Sequence, residues 1–214
     1  MFELFPNIKT KFPLCVAALD IETLGMSHNA AVVELGVVTA VFDLDSYGKL
    51  DITNVNSELM SFDVVDQVTR GRVIDADAYA FHVKNQGHEA TAAMISKGLG
   101  LSIEAQHDMF RRLENTLKEY NEIWINGLSF DPAFMQSLVR TYEYKTKRDM
   151  DSLWYHHLER DTRTIYRTFP LPDRENKNVK HRAVDDAVWN LEIAKLYHQG
   201  VIEYSAFLER STQR

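Results

Sequence analysis

Residues 14–25 (LCVAALDIETLG) combine the pattern of a buried strand with two carboxylates. No polar side chain occurs from Leu14 to Leu19, and a short apolar run of this kind is typical of a strand covered on both faces. Side chains alternate between the two faces of a strand, so Asp20 and Glu22 point the same way, about 7 Å apart along the chain. Their mutual repulsion would be offset by a divalent cation held by oxygen ligands. Because a D-x-E pattern also arises by chance, the assignment depends on ligands elsewhere in the chain.

Length and composition indicate an ordinary soluble globular protein. The 214 residues fit one domain, which we expect to span residues 1–214 with a core at about residues 14–199. No apolar run reaches the length of a membrane span and no signal peptide is evident, so we expect no membrane partner. The single cysteine, Cys15, lies in the apolar strand pattern, which is typical of an inert thiol in a reducing, cytoplasmic compartment.

The net charge of −7 does not by itself indicate a nucleic-acid-binding protein, because such domains commonly carry a basic face. It is compatible with an enzyme that acts on a polyanion through metal ions, because the acids are then concentrated around the metals. The distribution of charge along the chain therefore matters more than its sum.

Strand patterns dominate the first third of the chain and helix patterns the rest. Residues 30–42 predict a second strand with a bulge at Gly36, and a hairpin turn at 43–49 leads to a third strand between 50 and 68. Helices are predicted at residues 75–96 with a break at Gly87, at 102–120 with Ser102 as N-cap, at 131–142, and at 184–197 before Gly200. A short strand is predicted at Glu122–Ile125, and residues 160–182 are polar and irregular. This order indicates a mixed α/β domain around one central sheet.

Asp131 allows two interpretations. It follows a predicted strand and turn, opens a predicted helix and precedes Pro132, which is an ordinary way to cap and begin a helix. From the end of a core strand, its carboxylate could also reach the carboxylates of a neighbouring strand. The two roles are not exclusive, and the local pattern favours capping.

His181 and Asp186 belong to the segment KHRAVDDA at residues 180–187. A separation of five residues on a regular helix corresponds to about 140° around the axis. The two side chains therefore converge only if His181 lies in the loop before the helix and Asp186 in its first turns. Taken alone, His181 is typical of an exposed polar residue, and Asp185 or Asp186 of an acid near a helix N-terminus.

Together, three motifs resemble those of the DEDDh 3′-5′ exonucleases, the family of RNase T and of the proofreading subunit of bacterial replicative polymerase. The motifs are DIET at Asp20, NGLSFD at Asp131 and HRAVDD at His181, in the order and spacing of the family. The stretches AALDIETLG, AAVVELGVV and SFDP are most similar to the phage exonuclease A branch. That branch usually has tryptophans where this chain has Tyr79 and Phe81, which is a departure from its pattern.

The resemblance implies a ribonuclease H-like fold, with a central mixed β-sheet flanked by α-helices, and two Mg²⁺ or Mn²⁺ ions. It carries over the metal ligands, which are Asp20, Glu22, Asp131 and Asp186. It makes His181 the general base and favours Asp186 over Asp185, whose role stays open, because four residues separate the histidine from the aspartate in the family.

Oxygen ligands suit magnesium or manganese, and two such ions about 3.5–4 Å apart can bind the attacking and leaving oxygens of a displacement at phosphorus. Asp20 would bridge the ions, with Glu22 and Asp186 completing one site and Asp131 helping to hold the other. A histidine, whose unperturbed pKa is about 6.5, suits proton transfer from the attacking water at neutral pH.

Two further segments are candidates for contact with the substrate. By analogy with related enzymes, Thr23 is expected to contact the 3′-hydroxyl and Leu24 the last base, with loop packing as the alternative for Leu24. Between Arg160 and Arg182, seven Lys or Arg residues stand against three acids. A basic loop of this kind could hold a single strand, although most charge runs are simply solvated surface.

The sequence therefore predicts a metal-dependent 3′-5′ exonuclease that releases nucleoside 5′-monophosphates from single-stranded DNA. An exoribonuclease is the alternative, because the catalytic residues do not read the sugar. A noncatalytic nucleic-acid-binding module would have no use for clustered, mutually repelling carboxylates, and a small-molecule phosphatase lacks a covalent-nucleophile motif. The sequence leaves the oligomeric state open, including a homo-oligomer.

Overall fold

The computed structural model describes residues 11–147, 151–166 and 181–212. Residues 1–10 and most of the basic segment at residues 160–182 lie outside the described residues. Within them, five strands form one sheet. These are β1 (Leu14–Thr23), β2 (Val32–Leu44), β3 (Leu50–Ser61), β4 (Glu122–Ile125) and β5 (Glu159–Asp161).

Strand direction divides the sheet, whose order is β3-β2-β1-β4-β5, into two halves. Strand β2 runs antiparallel to both β1 and β3, whereas β4 is parallel to both β1 and β5. The carboxyl ends of β1 and β4 therefore lie side by side, with Leu19 opposite Ile125. This mixed sheet, flanked by helices, confirms the predicted α/β class and is consistent with a ribonuclease H-like fold.

Helices cover both faces of the sheet. They are α1 (Val64–Thr69), α2 (Ala76–Gln86), α3 (His88–Ser96), α4 (Ile103–Leu117), α5 (Asp131–Thr141), α6 (Thr162–Tyr166) and α7 (Ala183–Thr212), with a 3₁₀ turn at His156–Leu158. Ala17, Leu19 and Ile21 of β1 belong to a core cluster with residues of α4 and α5. Val16 and Ala18 belong to a second cluster with residues of α7. The even-numbered side chains of β1 therefore face α7.

Helix α4 illustrates how local sequence signals and burial agree. Ser102 caps it as predicted, by accepting a hydrogen bond from the Ala105 N–H at 3.2 Å. Phe110, Leu113 and Leu117 are buried against the sheet side of the core, and each such side chain contributes about 1.5–3 kcal/mol. None of the helices in the described ranges has the length and apolar character needed to cross a membrane.

Two predictions for the last third of the chain are wrong. Helix α7 continues through Gly200 to Thr212, because one glycine inside a helix costs only about 1 kcal/mol and removes no backbone hydrogen bond. Strand β5 and helix α6 lie where the sequence predicts irregular structure. The three polar residues of β5 carry no periodic signal, and their pairing with β4 makes them a strand.

Candidate active site

Asp20 and Glu22 lie within β1, near its carboxyl end. Asp20 pairs across the sheet with Gly36 of β2, and Glu22 pairs with Glu34. Glu22 is buried and Asp20 is half-buried. Both continue the even-numbered row of β1 side chains, so the strand places the two carboxylates on the face that α7 covers. The regular strand pairing of both residues agrees with the predicted common orientation, and contact of Asp20 with the other carboxylates stays a prediction.

Gly36 allows α7 to approach this pair closely. A Cβ atom at residue 36 would lie 2.2 Å from the carbonyl carbon and oxygen of Ala183. The backbone at the start of α7 therefore rests directly on β2, opposite Asp20. The side-chain amide of Asn190 then fixes α7 to β1 by donating to the Leu19 carbonyl oxygen at 2.9 Å. The strand pairing of Gly36 is regular, so the predicted bulge is wrong and the missing side chain serves the close approach instead.

The residues just before α7 bring His181 to the same place. The backbone of His181 has a left-handed φ of 69°, and its N–H donates to Oδ2 of Asp186 at 3.0 Å. One ligand atom from each of Glu22, His181 and Asp186 lies within 4.8 Å of the other two. The predicted convergence of a loop histidine with an aspartate in the first turns of the helix is confirmed.

Asp131 is the first residue of α5 and does not cap it, so the capping interpretation is wrong. Phe130 occupies the N-cap position. The Asp131 side chain is buried, and within the described part of the chain its Oδ2 has no hydrogen-bond partner. Burial raises the pKa of Asp131 well above its usual value, although Arg163 and the residue's own backbone N–H act in the opposite direction. A cation would satisfy such a buried carboxylate oxygen.

Glu22 has too few positive partners for its surroundings. Its pKa is raised to about 8, first by burial and then by the negative charges of Asp186, Glu34 and Asp131. Glu22, Asp186, Glu34 and Asp131 therefore lie close together in a region with little solvent. Such a group can be stabilised by protons or by a divalent cation.

Two side chains beside this cluster were missed by the sequence interpretation. Glu34 is buried, and Lys97 Nζ donates to its Oε1 at 2.9 Å. His82 of α2 is also buried, with Nε2 donating to the Thr23 carbonyl oxygen at 2.9 Å and Nδ1 3.9 Å from Oε2 of Glu22. A lone acid in the apolar run AAVVELGVV is a sequence signal for Glu34. No local pattern marks His82.

The residues predicted to contact substrate lie immediately after Glu22. Leu24 is fully buried in a cluster with Ala31 and Val33, which agrees with the loop-packing alternative. The Thr23 hydroxyl donates to the Gly25 carbonyl oxygen at 2.8 Å. Contact of Thr23 or Leu24 with a nucleotide stays a prediction.

The described part of the basic segment has structural contacts of its own. Arg160 Nε donates to Glu122 at 3.3 Å. Arg163 Nε donates to Asn126 Oδ1 at 3.2 Å, and its guanidinium covers Gly127, where a Cβ would lie 2.8 Å away. Four of the seven basic residues lie outside the described ranges, so binding of a strand by this segment stays a prediction.

The match with a known family spans all the elements of this cluster. Residues 15–198 match the family model described as the 3′-5′ exoribonuclease Rv2179c-like domain. This range includes Asp20 and Glu22 in β1, Asp131 in α5, and His181 and Asp186 at the start of α7. A search of curated proteins gave no match.

Proposed function

Because it belongs to the 3′-5′ exoribonuclease Rv2179c-like domain family, the chain is a 3′-5′ exonuclease that hydrolyses phosphodiester bonds, and we propose that it shortens single-stranded RNA. RNA replaces the DNA expected from the sequence because the family description names an exoribonuclease. The observation that carries the proposal is the convergence of Glu22, His181 and Asp186 within 4.8 Å. Two acids, Glu22 and Asp186, and a candidate base, His181, therefore lie next to one another within the family domain.

The residues at this point fit a divalent-cation site. Their carboxylate oxygens are ligands that Mg²⁺ and Mn²⁺ prefer, and the buried Oδ2 of Asp131 lacks a donor among the described residues. In our proposal, Glu22 and Asp186 would hold one ion, Asp131 would help to hold a second, and Asp20 would contribute to both. When bound, the ions supply positive charge to the attacking and leaving oxygens of the displacement at phosphorus.

His181 is the proposed general base. Water attacks the phosphorus of the terminal nucleotide, and the water's proton passes to the imidazole. The bond from phosphorus to the 3′ oxygen of the preceding nucleotide breaks, and that oxygen takes a proton from solvent. The products are a nucleoside 5′-monophosphate and a strand one nucleotide shorter with a free 3′-hydroxyl. General-base catalysis contributes about 10²–10⁴-fold, so His181→Ala should lower kcat by that factor.

The test is digestion of 5′-labelled single-stranded RNA and DNA of the same sequence with magnesium, with manganese or with a chelator. We expect a ladder that shortens from the 3′ end, requires the metal and forms faster on RNA. An RNA that carries one deoxynucleotide at its 3′ end distinguishes recognition of the terminal sugar from recognition further along the strand.

Adjacent aspartates provide a matched pair of variants. Asp186→Asn should abolish the ladder, whereas Asp185→Asn should preserve it, because only Asp186 belongs to the cluster. The opposite result would overturn the ligand assignment. Faster digestion of DNA would overturn the choice of RNA, and intact strands that the protein nevertheless binds would overturn the catalytic interpretation.

A further inference from the structure

Helix α2 contacts His181 through two side chains. The side-chain amide of Gln86, the last residue of α2, donates to the His181 carbonyl oxygen. The ring of Phe81 meets the imidazole edge to face, with the two centroids 4.7 Å apart. The helix therefore holds both the backbone and the ring of the proposed base.

The backbone of His181 requires such support. Its φ of 69° lies in the left-handed region, which residues other than glycine adopt at an energetic cost and keep only where surrounding contacts impose it. The N–H of His181 donates to Asp186, and its carbonyl oxygen accepts from Gln86. Hydrogen bonds on both sides of the Cα atom fix the direction of the Cα–Cβ bond, and the Phe81 ring packs against the imidazole that this bond carries.

Helix α2 is itself fixed to the strand that carries the first two carboxylates. The N–H of Asp75, which caps α2, donates to the Leu24 carbonyl oxygen at 2.7 Å. His82 donates to the Thr23 carbonyl oxygen one residue earlier in the chain. Gln86 therefore extends from a helix whose position is set by the end of β1.

We propose that Gln86 is a positioning residue that holds His181 so that its imidazole faces the carboxylate cluster. The proposal rests on the proposed function for the role of His181 as a base. Gln86 acts through the backbone of His181, so its effect depends on the presence of the imidazole. This dependence separates positioning from a general contribution to folding.

A double-mutant cycle tests the dependence. Gln86→Leu removes the amide and keeps a helix-forming side chain of similar size. We expect kcat to fall by about tenfold to a hundredfold with KM changed less than about twofold, because misplacement of a catalytic group affects the chemical step. In the His181→Ala protein, the same substitution should change kcat by less than about twofold.

Asn85→Leu is the matched control. Asn85 is the neighbouring residue of α2, is exposed, and donates only within its own helix in the described structure, to the Phe81 carbonyl oxygen at 2.7 Å. We expect it to leave kcat and KM within about twofold of wild type. Full activity of Gln86→Leu, a change confined to KM, or an equal loss of kcat with and without His181 would each overturn the proposal.

Imidazole NMR distinguishes failure of this proposal from failure of the proposed function. In protein labelled at histidine with ¹⁵N, the His181 signals are identified by their loss in His181→Ala. Gln86→Leu should shift or broaden those signals at constant pH, and Asn85→Leu should not. An inactive wild-type protein would overturn the proposed function while a changed His181 signal still supported the contact. An unchanged signal would overturn the positioning role.

Discussion

Two largely buried glutamates on adjacent strands of one sheet have opposite surroundings. Glu22, in β1, is crowded by other carboxylates, and its pKa is raised to about 8. Glu122, at the start of β4, lies among donors, which are His198 Nε2 at 2.9 Å, the Trp124 indole N–H at 2.9 Å and Arg160 Nε at 3.3 Å. Burial alone would raise the pKa of Glu122, but these partners hold it below its usual value.

The difference distinguishes a carboxylate that stabilises the fold from one that needs a further partner. The charge of Glu122 is compensated by side chains of β4, β5 and α7, so it completes a network within the chain. The charge of Glu22 is not compensated in this way. Buried groups with strongly shifted pKa values are enriched at functional sites. Helix α7 reaches both places, because it carries Asp186 near its start and His198 about three turns later.

The largest expected effect is on activity. Glu22→Gln should lower kcat/KM by at least about a thousandfold, because loss of the proposed metal ligand would remove several kcal/mol of transition-state stabilisation. Glu122→Gln makes the same chemical change on the neighbouring strand and should leave kcat/KM within about threefold of wild type. Digestion of labelled RNA under identical conditions compares the two variants. Similar losses in both would show that the two glutamates do not differ in function.

Gly36→Ala tests whether the close contact between α7 and β2 is what brings His181 and Asp186 to Glu22. The added methyl group would push the start of α7 away from β2. Overpacking of this kind costs about 1–3 kcal/mol of unfolding free energy. Displacement of His181 and Asp186 should lower kcat by more than about tenfold. Urea unfolding and single-turnover digestion measure the two effects. Unchanged values for both would show that α7 does not depend on this contact.

The two glutamine variants should also differ in stability. Glu22→Gln, the less active variant, should be the more stable of the two. Glu122→Gln should lower the unfolding free energy by about 1–3 kcal/mol, because it leaves hydrogen-bonded charges without their partner. At pH 9 without metal, Glu22→Gln should instead raise Tm by about 3 °C or more, because it removes a crowded buried charge. Thermal unfolding with a chelator checks both. A lower Tm for Glu22→Gln would contradict the crowding of Glu22.

A further expected effect is the pH dependence of the metal-free protein. The pKa of Glu22 is higher in the folded state than its usual value of 4.5, so the associated stability is present below pH 4.5 and is lost as pH rises toward about 8. The lowered pKa of Glu122 acts in the opposite direction, and its stability is lost as pH falls below 4.5. Tm measured against pH should therefore fall on both sides. Glu22→Gln should flatten the alkaline side, and saturating Mg²⁺ should do the same in wild type.

Sequence patterns were sufficient where the determining interactions are local. The apolar run before Asp20 defines β1, and the separation of His181 from Asp186 defines the geometry at the start of α7. Helices α2, α3 and α4 and the first part of α7 follow from their periodicity and caps, whereas α1 and α6 were not predicted. These features depend on residues within one or two turns of each other, so a single chain contains the necessary information.

The remaining features depend on contacts between distant residues. The capping interpretation of Asp131 fails because helix α5 begins one residue earlier than the Asp-Pro pattern implies, with Phe130 as N-cap. The neighbouring carboxylates that make Asp131 a candidate ligand include those of β1, far away in sequence. Glu34 lies beside Glu22 only through the register of β1 and β2, and His82 reaches Glu22 only through the return of α2. From the local sequence, Gly36 is explained as a bulge. The position of α7 shows instead that a side chain at residue 36 would collide with the Ala183 backbone.

The left-handed backbone of His181 has a consequence for protein engineering. Glycine adopts such a φ without steric cost, so the fold alone would favour glycine at this position. A directed-evolution campaign that rewarded heat resistance alone would therefore favour His181→Gly and discard the imidazole. A more durable version of this enzyme would have to be selected for turnover and thermal tolerance together.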